Sequence, residues 1–340
     1  MAHKIAFSFS DGKTLFCSTN GNESVLDAAL RNGIKIPLDC REGVCGTCQG
    51  RCDSGVYTQD YVDEDTLSEA DLAERKVLTC QTRIQSDAAF SFNFDSTLCS
   101  AAGTKLVQGN VCKIEKISAG TAILHIDASS AGLDLDYLPG QYARIHVPGT
   151  DDWRSYSFAS ASGSNVLQFL VRLLPDGVMS NYLRDRCTVG DQIEFEAPLG
   201  TFYLRQIDRP LIMIAGGTGL SAFLGMLDSI AAKRAETPPI ELFYGVRHAA
   251  DICEVERLES FAASIPGFSF QVIVSDPEPT WTGKIGYISG HLDTNKVRDY
   301  AHDIYICGPP PMVESIKAWQ VEHDLNTSSL YLEKFTESNT

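Results

Sequence analysis

Several things are missing from this 340-residue sequence, and each absence narrows what it can be. It has no apolar run of the roughly eighteen residues that a membrane-crossing helix needs. Its first residues, MAHKIAFSFSDGK, alternate like a strand and lack the apolar stretch of a signal peptide, so a cytoplasmic protein is expected. Positive charge is short: 28 Lys and Arg stand against 44 Asp and Glu, a formal net charge of −16. Such a chain repels phosphate backbones, which disfavours nucleic acid, and no helix-turn-helix pattern or basic patch is found, so no nucleic-acid partner is expected. No long internal repeat and no low-complexity tract is present. There is only one C-x2-C knuckle, whereas cysteine zinc sites usually pair two.

Cysteine itself is not scarce. Eleven are present, and in a reducing compartment they are expected to be buried thiols or metal ligands rather than disulfides. Three fall in LDCREGVCGTCQG, where Cys40, Cys45 and Cys48 form C-x4-C-x2-C, and Cys80 follows in VLTCQTRI. This is the spacing of plant-type [2Fe-2S] centres. Soft thiolates suit iron–sulfur clusters, and Gly43 and Gly46 permit the positive φ angles of a loop wrapped round one. Cys52 competes with Cys80 for the fourth position. A C-x4-C-x2-C-x3-C run has neither the first spacing nor the final proline of the bacterial pattern, so Cys80 is preferred and Cys52 is read as a buried strand residue. Zinc is the alternative occupant.

The flanking residues read as a small ferredoxin fold. A hairpin turns about Asp11-Gly12. NESVLDAALRNG is a helix capped by Asn22 or Ser24, with Val25, Leu26, Ala29 and Leu30 on one face and Gly33 as its stop. Asp60 to Glu74 holds seven acids and no base, either a solvated face or a surface that steers a partner. Small residues near 98–104 suggest a linker. After it, short alternating segments separated by turns (VCKIEKIS, TAILHIDA, YARIHVP, VLQFLVRLL, QIEFEAP) read as an antiparallel barrel. In the last third RPLIMIAGGTGLSAFLGMLDSI is a buried strand, a glycine turn and a helix. IELFYGVR, FSFQVIVS and DIYICGPPPM repeat the strand theme between helical segments, which gives a parallel sheet. The expected fold class is multidomain α+β and α/β. It comprises a β-grasp-like ferredoxin domain over 1–98, an antiparallel β-barrel over 105–205 and a parallel-sheet nucleotide-binding domain over 206–340.

Arg154-x-Tyr156-Ser157, Gly177-x-x-Ser180, Gly216-Gly217-Thr218-Gly219 and Cys307-Gly308-Pro309 occur in the order found in the ferredoxin-NADP reductase family, which residues 105–340 resemble. The resemblance implies a flavin, and Gly177-x-x-Ser180 favours FAD over FMN. An arginine fork at Arg154 and the backbone N–H groups of Gly177, Val178, Met179 and Ser180 at a helix start suit its pyrophosphate. Tyr156 offers a ring to stack on the isoalloxazine, and Ser157 a hydroxyl for flavin N5. Phe335 is the candidate aromatic cover and Glu333 a polar helper. Gly216 to Gly219, with Gly308 and Pro309, would receive the dinucleotide, and Cys307 would stand beside the nicotinamide C4. Ala222 replaces a proline usual in the family. Ser275-Asp276 stands where NADPH users often have Ser-Arg. An anion there repels a 2′-phosphate, so NADH is expected, with Arg247 as the opposing charge.

A ferredoxin domain followed by such a module resembles the reductase components of bacterial ring-hydroxylating dioxygenases, the benzoate, toluate and anthranilate group. The resemblance implies an NADH-dependent, FAD- and [2Fe-2S]-containing reductase whose partner is a terminal oxygenase of Rieske type. Reductases of soluble di-iron methane and phenol hydroxylases share the domain order, and a redox-sensing iron–sulfur flavoprotein is the other alternative.

Overall fold

The computed structural model describes residues 2–99, 104–118, 120–129, 135–233, 236–325 and 329–335. The chain divides into two compact units, residues 1–104 with 199–201, and residues 105–198 with 202–340. Of the expected linker at 98–104, residues 96–99 form a single 3-10 turn, and 100–103 lie outside the described residues.

The first unit contains β1 (Lys4–Ser8), β2 (Thr14–Ser18), α1 (Val25–Arg31), β3 (Gln49–Ser54), β4 (Tyr57–Gln59), α2 (Glu69–Ala73), β5 (Lys76–Leu78), β6 (Thr82–Ile84) and β7 (Ala88–Ser91). Its main sheet has the order β2-β1-β7-β3-β5, with β1 and β7 parallel at its centre and β2 returning as a hairpin, which is a β-grasp arrangement. The period-2 alternation of IAFSF and FSFNF puts Phe7, Phe9, Phe90, Phe92 and Phe94 on one buried face, with neighbouring rings 5.0–6.1 Å apart. Gly50 leaves room for this cluster, because a Cβ there would lie 2.8 Å from the Phe92 ring. Ser24 is the cap of α1, its hydroxyl accepting from the Asp27 N–H at 3.1 Å, a bond worth about 1 kcal/mol. The buried face of α1 is Val25, Leu26, Ala28 and Ala29. Leu30 is only partly buried, one step off the face expected from the sequence.

The second unit begins with β8 (Lys105–Lys116), β9 (Thr121–Asp127), β10 (Tyr142–His146), β11 (Trp153–Ser157), β12 (Val166–Arg172), α3 (Val178–Asp185) and β13 (Gln192–Leu199). These strands form a sheet of order β11-β10-β13-β8-β9-β12. A bridge between Phe158 and Phe169 brings its two edges together, so the sheet curls nearly into a barrel. Inward residues such as Val107, Ile126, Ile145, Phe158, Phe169 and Phe195 fill it.

Then follow β14 (Leu211–Gly216), α4 (Leu220–Lys233), β15 (Ile240–Val246), α5 (Val255–Ser264), β16 (Phe268–Val274), β17 (Lys284–Ile285), α6 (Thr294–Asp299), β18 (Asp303–Gly308), α7 (Pro310–Glu322) and β19 (Ser329–Lys334). The sheet order is β17-β16-β15-β14-β18-β19, and every pairing is parallel. The chain starts at β14, runs outward through β15, β16 and β17, then returns to add β18 on the other side. The strand order therefore reverses between β14 and β18, and open parallel sheets bind ligands at the carboxyl ends of such a pair. One apolar cluster continues from Ile123, Ala159 and Leu170 of the barrel into Phe223, Met226 and Leu227 of α4.

Candidate functional site

Two groups of residues carry the chemistry, and each lies within one unit. In the first unit the cysteine loop runs between α1 and β3. Gly43 and Gly46 have φ of +84° and +74°. A Cβ on Gly43 would sit 2.6 Å from the Tyr61 carbonyl, so glycine is needed there for space as well as for conformation. The acidic segment backs this loop: the Asp63 N–H donates to the Gly43 carbonyl at 3.1 Å, and the Thr66 hydroxyl to the Val44 carbonyl at 2.8 Å.

The four thiols pair two and two. Cys40 Sγ lies 3.1 Å from Cys45 Sγ, and Cys48 is the hydrogen-bonding neighbour of Cys80. The Cys40 thiol is drawn down to about 5. Its bond with Cys45 is the main cause, burial opposes it, and the N–H groups of Glu42, Val44 and Cys45 directed at the sulfur add to it. The bond with Cys48 likewise lowers Cys80, while Cys45 and Cys48 are raised by the same bonds and by burial. Thiols gathered in this way, with backbone N–H groups directed at Cys40, suit the four-cysteine ligation of an iron–sulfur cluster. Cys52 is elsewhere in the unit's framework: buried on β3, its sulfur 3.2 Å from the Ser54 carbonyl and accepting from Arg75 at 3.2 Å.

In the second unit three of the four scattered motifs meet, and the fourth, at Gly177 to Ser180, is tied to the end of β12. β11 carries Arg154, Tyr156 and Ser157. Arg154 donates through Nη1 to Asp152 at 3.3 Å and to the Trp153 carbonyl at 2.9 Å. Tyr156 packs against the barrel core, and burial raises its phenol. Gly177 is the cap of α3, whose first residues Val178, Met179 and Ser180 have no side-chain cap on their N–H groups. The Ser180 hydroxyl is spent inside the chain. It accepts from the Leu174 N–H at 2.9 Å and donates to the Arg172 carbonyl at 3.1 Å, holding the loop that leads into the helix.

At the reversal of the parallel sheet, Ala215 pairs with Cys307 and Cys307 with Glu333. The backbones here are as close as they can be. A Cβ on Gly219 would run into the Cys307 carbonyl, one on Gly216 would sit 2.7 Å from the Pro309 ring, and one on Gly308 would sit 3.0 Å from Gly216 Cα. The strand ends bring Ser157, Cys307 and Glu333 to one point: Ser157 donates to Glu333 Oε2 at 3.3 Å, and Cys307 Sγ lies 3.9 Å from the same oxygen. Burial pushes the Glu333 carboxyl up to about 8 against the pull of these two donors, and burial raises the Cys307 thiol. The Phe335 N–H donates to the Gly308 carbonyl at 2.9 Å, which fixes its backbone just past the end of β19. Asp276 and Arg247, opposing charges on the cofactor question, form one exposed pair at 3.6 Å beyond β16 and β15.

Sequence reading missed the residues that join these parts. The Ser221 hydroxyl donates to the Ser157 carbonyl at 2.7 Å, and Gly225 lets α4 lie against residues 158–160. The available signal was a glycine inside the mostly apolar helix after the glycine turn, where glycine costs about 1 kcal/mol unless close approach requires it.

Comparison with known proteins gives the family. Residues 8–85 match the 2Fe-2S iron-sulfur cluster binding domain, 108–203 the oxidoreductase FAD-binding domain and 213–318 the oxidoreductase NAD-binding domain. The chain is 55% identical to the anthranilate 1,2-dioxygenase electron transfer component of Acinetobacter baylyi, over 100% of this chain and 99% of that protein. The chain belongs to the dioxygenase electron transfer components. Its similarity to the toluate 1,2-dioxygenase component of Pseudomonas putida is 42%, over 99% and 100% of the two chains. Among solved structures, an Amycolatopsis cytochrome P450 reductase superposes with a TM-score of 0.71 at 30% identity, covering 98% and 100%. The reductase is thus an NADH-dependent iron–sulfur flavoprotein with FAD and a [2Fe-2S] cluster, and it passes electrons to an oxygenase component. Among the described residues no helix is long and apolar enough to cross a membrane.

Proposed function

We propose that this reductase serves a Rieske-type oxygenase acting on an aminobenzoate-like aromatic acid, as the anthranilate 1,2-dioxygenase component does. The observation that carries this is the 55% identity over the whole chain, against 30% to the reductase component of a Gordonia propane 2-monooxygenase. The working units are residues 1–98 for the cluster, 105–205 for the flavin and 206–340 for the dinucleotide, in the cytoplasm and without nucleic acid or membrane.

When bound, the flavin accepts a hydride from the nicotinamide and releases its two electrons singly to the cluster, which hands them on. The chain's own residues hold and orient. Cys40, Cys45, Cys48 and Cys80 hold the iron, with N–H groups of the 41–45 loop offsetting negative charge on sulfur. Arg154 and the N-terminus of α3 at Gly177, Val178, Met179 and Ser180 bind the flavin pyrophosphate, Ser180 through its backbone because its hydroxyl is engaged. Tyr156 and Phe335 flank the ring system. Gly216, Gly217, Thr218, Gly219, Gly308 and Pro309 admit the dinucleotide at the strand ends. Asp276 faces its ribose. Cys307 and Ser157 mark the two ends of the hydride path, and Glu333 holds a proton between them.

The experiment pairs the purified reductase with oxygenase components of anthranilate dioxygenase, toluate dioxygenase and propane monooxygenase, and measures NADH-dependent product formation. We expect the anthranilate oxygenase to turn over at least about tenfold faster than the monooxygenase, a difference of about 1.4 kcal/mol in effective coupling. Equal rates with all three would refute the partner assignment.

A further inference from the structure

Inside the second unit, Arg257 ties the barrel to the parallel sheet. Arg257 at the start of α5 donates through Nη2 to the Ala159 carbonyl at 2.6 Å and to Asp228 Oδ2 of α4 at 2.7 Å. Through Nη1 it donates to Gln168 Oε1 of β12 at 3.2 Å and to Glu254 Oε2 at 3.3 Å. Two of these acceptors belong to the barrel and two to the nucleotide-binding side. The guanidinium fork is suited to this, since it presents several donors in a fixed plane. The pairing is also largely out of water, with side-chain exposures of 22% for Arg257, 29% for Asp228 and 14% for Glu254.

The clamp closes a longer contact. Ser221, Gly225 and Asp228 are four and three residues apart, so they share one face of α4. Ser221 holds the Ser157 carbonyl, and Gly225 admits the carbonyls of Phe158 and Ser160, which a Cβ would meet at 2.6 and 3.1 Å. The Ala161 N–H donates to Asp228. Residues 157–161 are therefore laid along α4, the helix that leaves the glycine turn. Ser157 stands at one end of this track and Arg257 fixes the other.

We propose that Arg257 is a positioning residue for hydride transfer. By locking β12 and residues 157–161 onto α4 and α5, it sets the register between Ser157 on β11 and both Gly219 in the glycine turn and Cys307 on β18. It is not among the residues assigned above to the flavin or the dinucleotide. The inference rests on the assignment of Ser157 and Cys307 made above. Register matters because transfer between two held reactants falls steeply, by about a hundredfold for a misplacement of about 1 Å.

The test uses the FAD-loaded full chain with Arg257→Gln, Arg257→Lys and Gln168→Leu, the last removing only a barrel-side acceptor. Three quantities are read: the saturating rate of flavin reduction by NADH, the NADH concentration at half-saturation, and hydrogen exchange at backbone amides 157–172. For Arg257→Gln we expect the saturating rate to fall about tenfold or more, half-saturation to move less than about threefold, and exchange at the Ala159 amide to quicken. Arg257→Lys recovers part of the rate, and Gln168→Leu gives a smaller loss of the same pattern. If Arg257→Gln does not fold, Gln168→Leu decides alone. A loosened seam with an unchanged saturating rate overturns the proposal, as does a raised half-saturation with an unchanged rate, or unchanged exchange. Failure of the underlying assignment looks different: Ser157→Ala would then keep the full rate while the seam's exchange stays as in the parent.

Discussion

Glu333 offers a prediction whose size follows from its surroundings. Its carboxyl lies on β19 against Ser157 and Cys307, and burial raises it from 4.5 to about 8. Below pH 4.5 the group is protonated in both folded and unfolded chains and contributes nothing. Between 4.5 and about 8 the folded chain keeps a proton that the unfolded chain has lost. Stability therefore falls as pH rises through this window, and the full cost is present above it. Each pKa unit corresponds to about 1.4 kcal/mol, so the span is worth about 4–5 kcal/mol. The strand is only partly closed to solvent, which reduces this to about 2–4 kcal/mol. Glu333→Gln keeps the shape and cannot ionise. We expect its melting temperature to match the parent near pH 4.5 and to exceed it increasingly up to about pH 8.5. Thermal unfolding of both proteins across pH 4.5–9 measures this, and the infrared band of a protonated carboxyl, lost above about pH 8 in the parent and missing from Glu333→Gln, identifies the group. A melting difference that stays constant across the range would refute the reasoning.

Three further outcomes are expected. Cys80→Ser abolishes the visible and EPR signals of the cluster, whereas Cys52→Ser, in a buried strand bonded to Arg75 and Ser54, keeps the iron content of the parent; equal loss in both would reverse the choice of fourth ligand. Asp276→Arg shifts the NADPH to NADH ratio of kcat/KM toward NADPH by about ten- to a hundredfold, or about 1.4–2.8 kcal/mol, because it adds a cation and frees Arg247 from its ion pair; an unmoved ratio would place the ribose elsewhere. Gly219→Ala forces a Cβ onto the Cys307 carbonyl, costs about 1–3 kcal/mol of stability and lowers flavin reduction by NADH at least about tenfold, both read on the FAD-loaded protein; normal reduction would show that this approach tolerates a shift.

The sequence by itself determined those features in which chemistry is local. C-x4-C-x2-C with Gly43 and Gly46 states a thiolate loop, because ligand type and positive φ are properties of neighbouring residues. Alternating strands, the glycine turn before α4 and the strand end at Cys307 are legible for the same reason, since periodicity is written along the chain. Ser180 was legible only as a helix start; its hydroxyl's bonds to residues 172 and 174 depend on how the preceding loop folds back. Tertiary structure alone decided what distant segments do together. The reversal of strand order set Cys307 beside Ala215 and Glu333, and the backbone approach of Gly219 to Cys307 followed from it. Burial, not residue type, moved the Glu333 carboxyl toward neutral pH. Arg257 looked like any arginine on an amphipathic helix until packing set four acceptors from three other segments and its own helix cap around it. A residue's partners across a fold are fixed by which surfaces exclude water together, and no local spacing records that.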